Sequence, residues 1–532
     1  MFGREVAFMK RLFVLLLVMT LILVSCGRTE TSTSTGATQP SQSVQPETPP
    51  TFEDCGEEAG MIYHKTIAAY SYFENEDVVS SKNLLFVPGG TVVSSEKGFA
   101  VYPYTEKNVL DQEALDATGQ NVINKYMVVM AAGSVTLEND TYLRVAVEGK
   151  LSDVVLTYPE GTETQVRVVD TEYEAYGKDY DRITAALKSS PKQAVNYIFI
   201  TDIHYDKKDL TSVQIKSLKQ QMTLVTKMAN ESDAIDFVAI GGDITSGHYS
   251  KKSDAVKLTR EILDPLKECK KPVMVLMGNH DDNSYSAGKT VYIEATANGL
   301  VSKAEWNTAV LDEYAAEGIV HDSTDIDSAY YYYDLPAKKT RLVCLDALDY
   351  YQELDEDGTV SASSLELDVD GNSKVGRTYW GYSVRQLRWL MDEALTADEG
   401  WNYVFLSHMN VTTENYGDEL QTLLSAFRNR TAYNDAEVGT RDFAAATGQI
   451  LVYHFGHNHG NRTEWSEPLG AWKILTGTAN ITQLSNNSPS SENYRGFGTD
   501  GECCFDVVSV TTQEVQKYGF GLPKDETLTN VP

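Results

Sequence analysis

The chain has 532 residues, 42% of them hydrophobic, enough for a large buried core and for more than one domain. Its 45 basic against 76 acidic side chains leave a formal charge of −31, which disfavours nucleic-acid polymers and anionic lipid as electrostatic partners, since phosphate backbones reward basic surfaces. Small phosphorylated molecules remain compatible with that charge wherever bound metal supplies local positive potential.

Thirteen apolar or near-apolar residues, Leu12 to Val24, follow Lys10-Arg11 at the start. That is the length of a signal-peptide core and too short to span a bilayer comfortably. Leu23-Val24-Ser25-Cys26 then resembles a bacterial lipobox, which implies removal of residues 1–25, lipidation of Cys26 and a protein tethered at the outer, extracytoplasmic face of the cell membrane. The segment 26–51 is Ser, Thr, Gln, Pro and Gly with almost no apolar side chains, so it cannot bury enough surface to fold and reads as a disordered linker. Five cysteines remain beyond Cys26, namely Cys55, Cys269, Cys344, Cys503 and Cys504. The odd count and the adjacency of the last two predict no disulfide framework.

Residues 52–189 form a separate region of short β-type runs: Leu84–Val87, Thr91–Val93, Tyr126–Met130, Tyr142–Val147, Val154–Tyr158 and Gln165–Val169. Gly89-Gly90, Glu138-Asn139-Asp140, Glu148-Gly149 and Pro159-Glu160-Gly161 mark turns between several of them. The expectation is a β-rich, sandwich-like accessory domain. It could bind a cell-surface glycan or simply pack against and orient the C-terminal part of the chain, and no motif chooses between the two.

From residue 190 to 532 the pattern changes to alternating strands and helices. Tyr197–Thr201, Phe237–Ile240, Val273–Met277, Tyr403–Leu406 and Ile450–Tyr453 are apolar runs of the kind that form fully buried strands. Leu218, Met222, Val225 and Met228 make a helical stripe between the first two, and Val256, Ile262, Leu263 and Leu266 a second between the next two. Directly after the five runs come Asp202-Ile203-His204, Gly241-Gly242-Asp243, Gly278-Asn279-His280-Asp281, Ser407-His408 and Gly456-His457-Asn458-His459. In α/β sheets ligands gather at the carboxyl ends of strands, so all five motifs should meet at one edge. Carboxylates, imidazoles and one amide oxygen without thiolate suit Mn, Fe or Zn and do not choose among them.

Each motif alone is weak, but their joint order resembles the calcineurin-like metallophosphoesterase superfamily over roughly Ala194 to Leu522. The resemblance implies a four-layer α-β-β-α sandwich with a two-metal centre at the strand ends. It places one ion on Asp202, His204, Asp243 and His459, the other on Asp243, Asn279, His408 and His457, and makes Asp243 the bridge. It further implies attack by hydroxide held between the ions, with His280 facing the leaving oxygen as general acid and Asp281 orienting its ring. Purple acid phosphatases carry a Tyr ligand three residues after the bridging Asp and lack the first-motif His. Here Ser246 and His204 hold those places, so that subfamily is disfavoured. Gly-Asn-His-Asp, with Asp in place of Glu, is similar to the cyclic-nucleotide phosphodiesterase-like branch.

Other residues read as ordinary. His248 is expected as a solvated loop histidine, His454 as a satisfied core residue, and Tyr330–Tyr333 as a strand with one aromatic face. The polar turn at Asp368, Asp370 and Gly371 has the wrong spacing for a calcium loop. Specificity is expected in the long interval between His280 and His408. The sequence therefore predicts a lipid-anchored, two-metal hydrolase of a small phosphodiester or phosphomonoester. A nucleotidase or phosphomonoesterase is the alternative, and a surface-binding lipoprotein using the fold as a scaffold is the rival from another class.

Overall fold

A computed structural model of the chain describes residues 49–530 except 67–68, 105–130, 170, 211, 285–298, 364–379, 398 and 484–501. The signal segment, Cys26, most of the linker, the run Tyr126–Met130 and the turn at Asp368, Asp370 and Gly371 lie outside the described residues. Pro49–Pro532 forms one compact unit. Among the described residues, no helix is long and apolar enough to cross a membrane.

The first eight strands are β1 (Glu57–Thr66), β2 (Ala69–Ser81), β3 (Leu84–Val87), β4 (Val92–Tyr104), β5 (Ala131–Thr136), β6 (Thr141–Val147), β7 (Val154–Thr157) and β8 (Arg167–Val169), joined in one antiparallel sheet. Strand β4 changes partners midway. Phe99–Tyr104 pairs with β6, whereas Val92–Ser95 pairs with β5 and β7, and the register shifts between Ser95 and Phe99. A bulge of this kind bends a strand and lets one sheet curl around a core, here built on Phe52, Leu85, Val93, Phe99, Val101 and Val145. The helix Thr171–Leu187 falls inside the segment expected to be β-rich. It binds forward in the chain: Tyr180 donates to Glu231, and Arg182 pairs with Asp525.

Two further sheets complete the chain. The first has the order β11 (Val273–Val275), β10 (Phe237–Ile240), β9 (Val195–Ile200), β23 (Cys504–Val510), β24 (Glu514–Gly521), β25 (Glu526–Thr529), with β9, β10 and β11 parallel. The second runs β12 (Val320–His321), β13 (Tyr331–Leu335), β14 (Thr340–Cys344), β17 (Asn402–Leu406), β20 (Ile450–Phe455), β22 (Ala471–Leu475), β21 (Arg462–Ser466), with β14, β17, β20 and β22 parallel. Small hairpins β15–β16 (Gln352–Leu354, Val360–Ser363) and β18–β19 (Ala432–Asp435, Gly439–Asp442) decorate the second sheet's connections.

Side chains alternate between the faces of a strand, and here both faces are buried. In β17, Val404 and Leu406 join the core shared with β9 and β10, while Tyr403 and Phe405 join Leu390, Leu420, Leu424 and Phe427 on the other side. The helix Ser212–Glu231 buries Leu218, Met222, Val225 and Met228 on the outer face of the first sheet's core, as the stripe predicts. The helices Lys252–Leu263 and Gly417–Asn429 complete the outer layers. The result is the four-layer α-β-β-α sandwich. Between its sheets His454 stacks on Phe199 at 3.9 Å and meets the Tyr197 hydroxyl at 2.9 Å and Thr476 Oγ1 at 2.6 Å, a satisfied core histidine. The Tyr331 hydroxyl bonds both the amide and the carbonyl of Val275.

Candidate metal centre

Each of the five motifs begins within three residues of the end of a parallel strand: β9, β10 and β11 in the first sheet, β17 and β20 in the second. The chain leaves those strands abruptly. Asp202, His204, Asp243, His457 and His459 all have positive φ, between 45° and 75°. Non-glycine residues adopt that conformation at a cost and concentrate where function demands it. Glycines make the close approaches possible: a Cβ on Gly242, itself at φ 91°, would lie 2.7 Å from the Gly278 amide and 2.8 Å from His408 Nδ1.

The donors converge on two centres. His204 Nε2 lies 3.1 Å from His459 Nε2, and Asp202 Oδ1 lies 3.4 Å from His459 Nε2 and 3.9 Å from His204 Nε2. On the other side His408 Nε2 is 3.0 Å from Asn279 Oδ1, and His457 Nδ1 is 2.7 Å from the same oxygen. Asp243 Oδ2 sits between the groups, 3.3 Å from His408 Nε2 and 3.7 Å from His204 Nε2. Its other oxygen is occupied by the His280 amide at 2.8 Å. Ligands about 2.1 Å from a common ion stand about 3 to 3.5 Å apart, so these spacings fit two cations sharing Asp243. Among the described residues, Asp202 Oδ1 is buried without a hydrogen-bond partner, which a cation would satisfy.

The far side of several rings is fixed. His408 Nδ1 meets the Gly241 carbonyl at 2.8 Å, a bond from the second sheet to the first, and His459 Nδ1 meets the Gln483 carbonyl at 3.1 Å. An N–H given to a carbonyl leaves the opposite nitrogen as a lone pair. Burial lowers His204 to about 3 and His457 to about 4, keeping both neutral as metal donors must be. Burial opposes ionisation of Asp243 too, but His408 and His280 beside it hold the carboxyl well below the usual range. At His408 burial is outweighed by Asp243 and Asp202, which raise it to about 9 and mark where positive charge is wanted.

The loop geometry corrects one expectation. Asp281 does not orient His280, because its carboxylate is committed to backbone: Oδ1 accepts from the amides of Ile244 and Thr245, and Oδ2 from that of Gly278. Burial and the neighbouring Asp243 raise Asp281 to about 8. The His280 ring is held through Nδ1 by the Ser246 carbonyl at 2.8 Å, which leaves Nε2 3.7 Å from Asp243 Oδ2. His248 is also more tied down than a solvated loop residue: it meets the same carbonyl at 3.1 Å and stands 3.2 Å from both Asp206 and Asp209. Gly247, at φ 64°, packs on His280 so closely that a Cβ would collide with its carbonyl oxygen.

Several contributors carry no motif. Thr478 donates to the Asp202 carbonyl at 2.6 Å and Asn480 to that of His204 at 3.3 Å, holding the first loop from beyond β22. Trp380 stands edge-on to His457 at 5.1 Å, in the interval where specificity is expected. The tyrosine run is structural, with Tyr330 and Tyr331 buried. Among the described residues, no disulfide joins Cys55, Cys269, Cys344, Cys503 or Cys504.

The family profile for calcineurin-like phosphoesterases matches residues 195–461. Among solved structures, a dimetal phosphatase from Danio rerio aligns at 17% identity over 63% of this chain and 99% of its own, with a TM-score of 0.42. A purple acid phosphatase from yellow lupin (Lupinus luteus) seeds aligns at 10% identity over 88% and 79%, with a TM-score of 0.33. The phosphopantetheinyl hydrolase of Mycobacterium tuberculosis aligns at 13% over 57% and 99%, with a TM-score of 0.26. A search of curated proteins returned no match.

Proposed function

The chain belongs to the calcineurin-like phosphoesterase family and is a metal-dependent phosphoester hydrolase of the two-metal kind; from that premise we propose that it cleaves a small phosphodiester or phosphomonoester outside the cytoplasm, with His280 as general acid. Asp202, His204, Asp243 and His459 would hold one ion, and Asp243, Asn279, His408 and His457 the other. When bound, the ions supply Lewis acidity toward water and the phosphoryl oxygens. The protein's own residues do the rest. Asp243 gives one oxygen to the His280 amide and keeps the other for the shared position. The Ser246 carbonyl fixes the His280 ring so that Nε2 faces the centre, where its proton can pass to the departing oxygen as the ester bond breaks. Trp380 walls the side of His457.

Asp243 Oδ2 poised between imidazoles of both sheets is the observation that carries this reading. Asp243→Asn should lose metal and activity together, while Asp355→Asn, an exposed change, should lose neither. Elemental analysis of the two variants beside turnover of a chromogenic phosphoester tests it. Two tightly held ions in Asp243→Asn would remove the bridge. Location rests on the apolar core and Cys26, and tethering there would leave the catalytic body at the outer membrane face.

A further inference from the structure

A second cleft opens at the opposite edge of the sandwich. It encloses about 540 Å³ beside Gln449 and Ile450, where β20 starts, and Gly470, just before β22. The metal ligands follow the other end of β20 and of its neighbours. Two arginines point into the cleft from the end of the helix Gly417–Asn429. Arg428 donates to the Glu467 carbonyl at 2.8 Å, and Arg430 donates to the carbonyls of Phe427 and Gly448. Gly470, at φ 61°, leaves the room that the Arg428 guanidinium occupies, since a Cβ there would overlap its Nε.

Backbone carbonyls fix the direction of both guanidiniums without neutralising them. Among the described residues, neither arginine has a carboxylate within ion-pair distance, in a chain with 76 acidic side chains to offer. Burial lowers Arg430, an effect that an anion in the cleft would offset. Beside them Asn530 lines the cleft and donates Nδ2 to the Thr512 carbonyl. Two guanidinium charges at one cleft suit a doubly charged ligand. A carboxylate ion has one charge, whereas hydrogen phosphate has two.

We propose that this cleft binds a phosphate-type oxyanion, independently of the metal centre, through Arg428 and Arg430. Equilibrium dialysis of the metal-loaded full chain against inorganic phosphate, and separately against methylphosphonate as a non-hydrolysable stand-in for a phosphate group carried on carbon, tests it. One anion per chain should persist in Asp243→Asn and, in that background, bind about tenfold or more weakly when Arg428→Gln/Arg430→Gln is added. Because Arg430 also bonds the last turn of the helix at Phe427, Gln513→Glu is the parallel variant: it adds a carboxylate to the cleft, removes neither arginine, and should weaken binding to a similar degree. Tighter binding of phosphate identifies the free ion as ligand, and tighter binding of methylphosphonate a substituted one. Anion held as tightly when either change is added to Asp243→Asn as by Asp243→Asn alone, or displaced equally well by acetate, would overturn the proposal.

Discussion

His280 and Asp281 are neighbours with opposite duties. The ring of His280 turns toward the metal centre on the Ser246 carbonyl, while the carboxylate of Asp281 turns inward and gathers three backbone amides. His280→Ala should keep both ions while turnover of an alkyl phosphoester falls about 100- to 10,000-fold, the usual worth of a general acid. The loss should shrink for a nitrophenyl ester, whose leaving oxygen needs little protonation. Metal analysis and kinetics on the two substrates decide this, and equal losses on both would make His280 a positioning group. Asp281→Ala should behave differently. Stranding buried amides costs about 1 to 3 kcal/mol each, so its urea midpoint should drop by the equivalent of at least about 2 kcal/mol and metal should be lost with it. An Asp281→Ala protein with unchanged midpoint and metal content would refute the clamp.

Among the elements, the helix Ser212–Glu231 is where sequence periodicity and packing agree best, and it gives a clean stability test. Met222 is fully buried in the main core, so Met222→Ala should cost about 2 to 5 kcal/mol. Thr223 on the exposed face should change stability by no more than about 0.5 kcal/mol as Ala, both read from urea unfolding. The same logic explains what could be read in advance. Strands buried on both faces are continuous apolar runs, so β9, β10, β17 and β20 and the ligands behind them stood out. The long hairpin β1–β2 did not, because Glu57–Thr66 and Ala69–Ser81 mix polar and aromatic residues without a period. The helix Thr171–Leu187 offered Tyr176, Tyr180, Ile183 and Leu187 at helical spacing, all buried, yet lies among β-type runs that mask it. The duty of Asp281 was illegible for another reason: adjacency to His280 says nothing about direction when the chain turns sharply between strand and loop.

For the whole molecule, the acidic balance and the proposed tether work together. A body of strongly negative charge has little to gain from anionic lipid, so membrane residence should rest on the lipid at Cys26 alone. Cys26→Ala should move the protein from the membrane fraction to the soluble one, or block its processing, while the separately made segment Thr51–Pro532 keeps full activity. Fractionation followed by determination of the mature amino terminus checks this. A wild-type protein found wholly in the medium, beginning beyond Cys26, would remove the anchor.

The pairing of β9 with β23 sets a timetable. Strand β9 carries the first motif, and its backbone is completed on one side by β10 and on the other by β23, with Phe199 opposite Asp506. During synthesis every proposed metal ligand through His459 has emerged before β23 exists. Until then one edge of a wholly apolar-flanked strand in the first sheet is open, the kind of edge that recruits strands from other chains. The newborn protein thus owns a full set of candidate ligands before the first sheet is closed, and it is β23, whose first residues come to lie beside the end of β9, that covers the open edge.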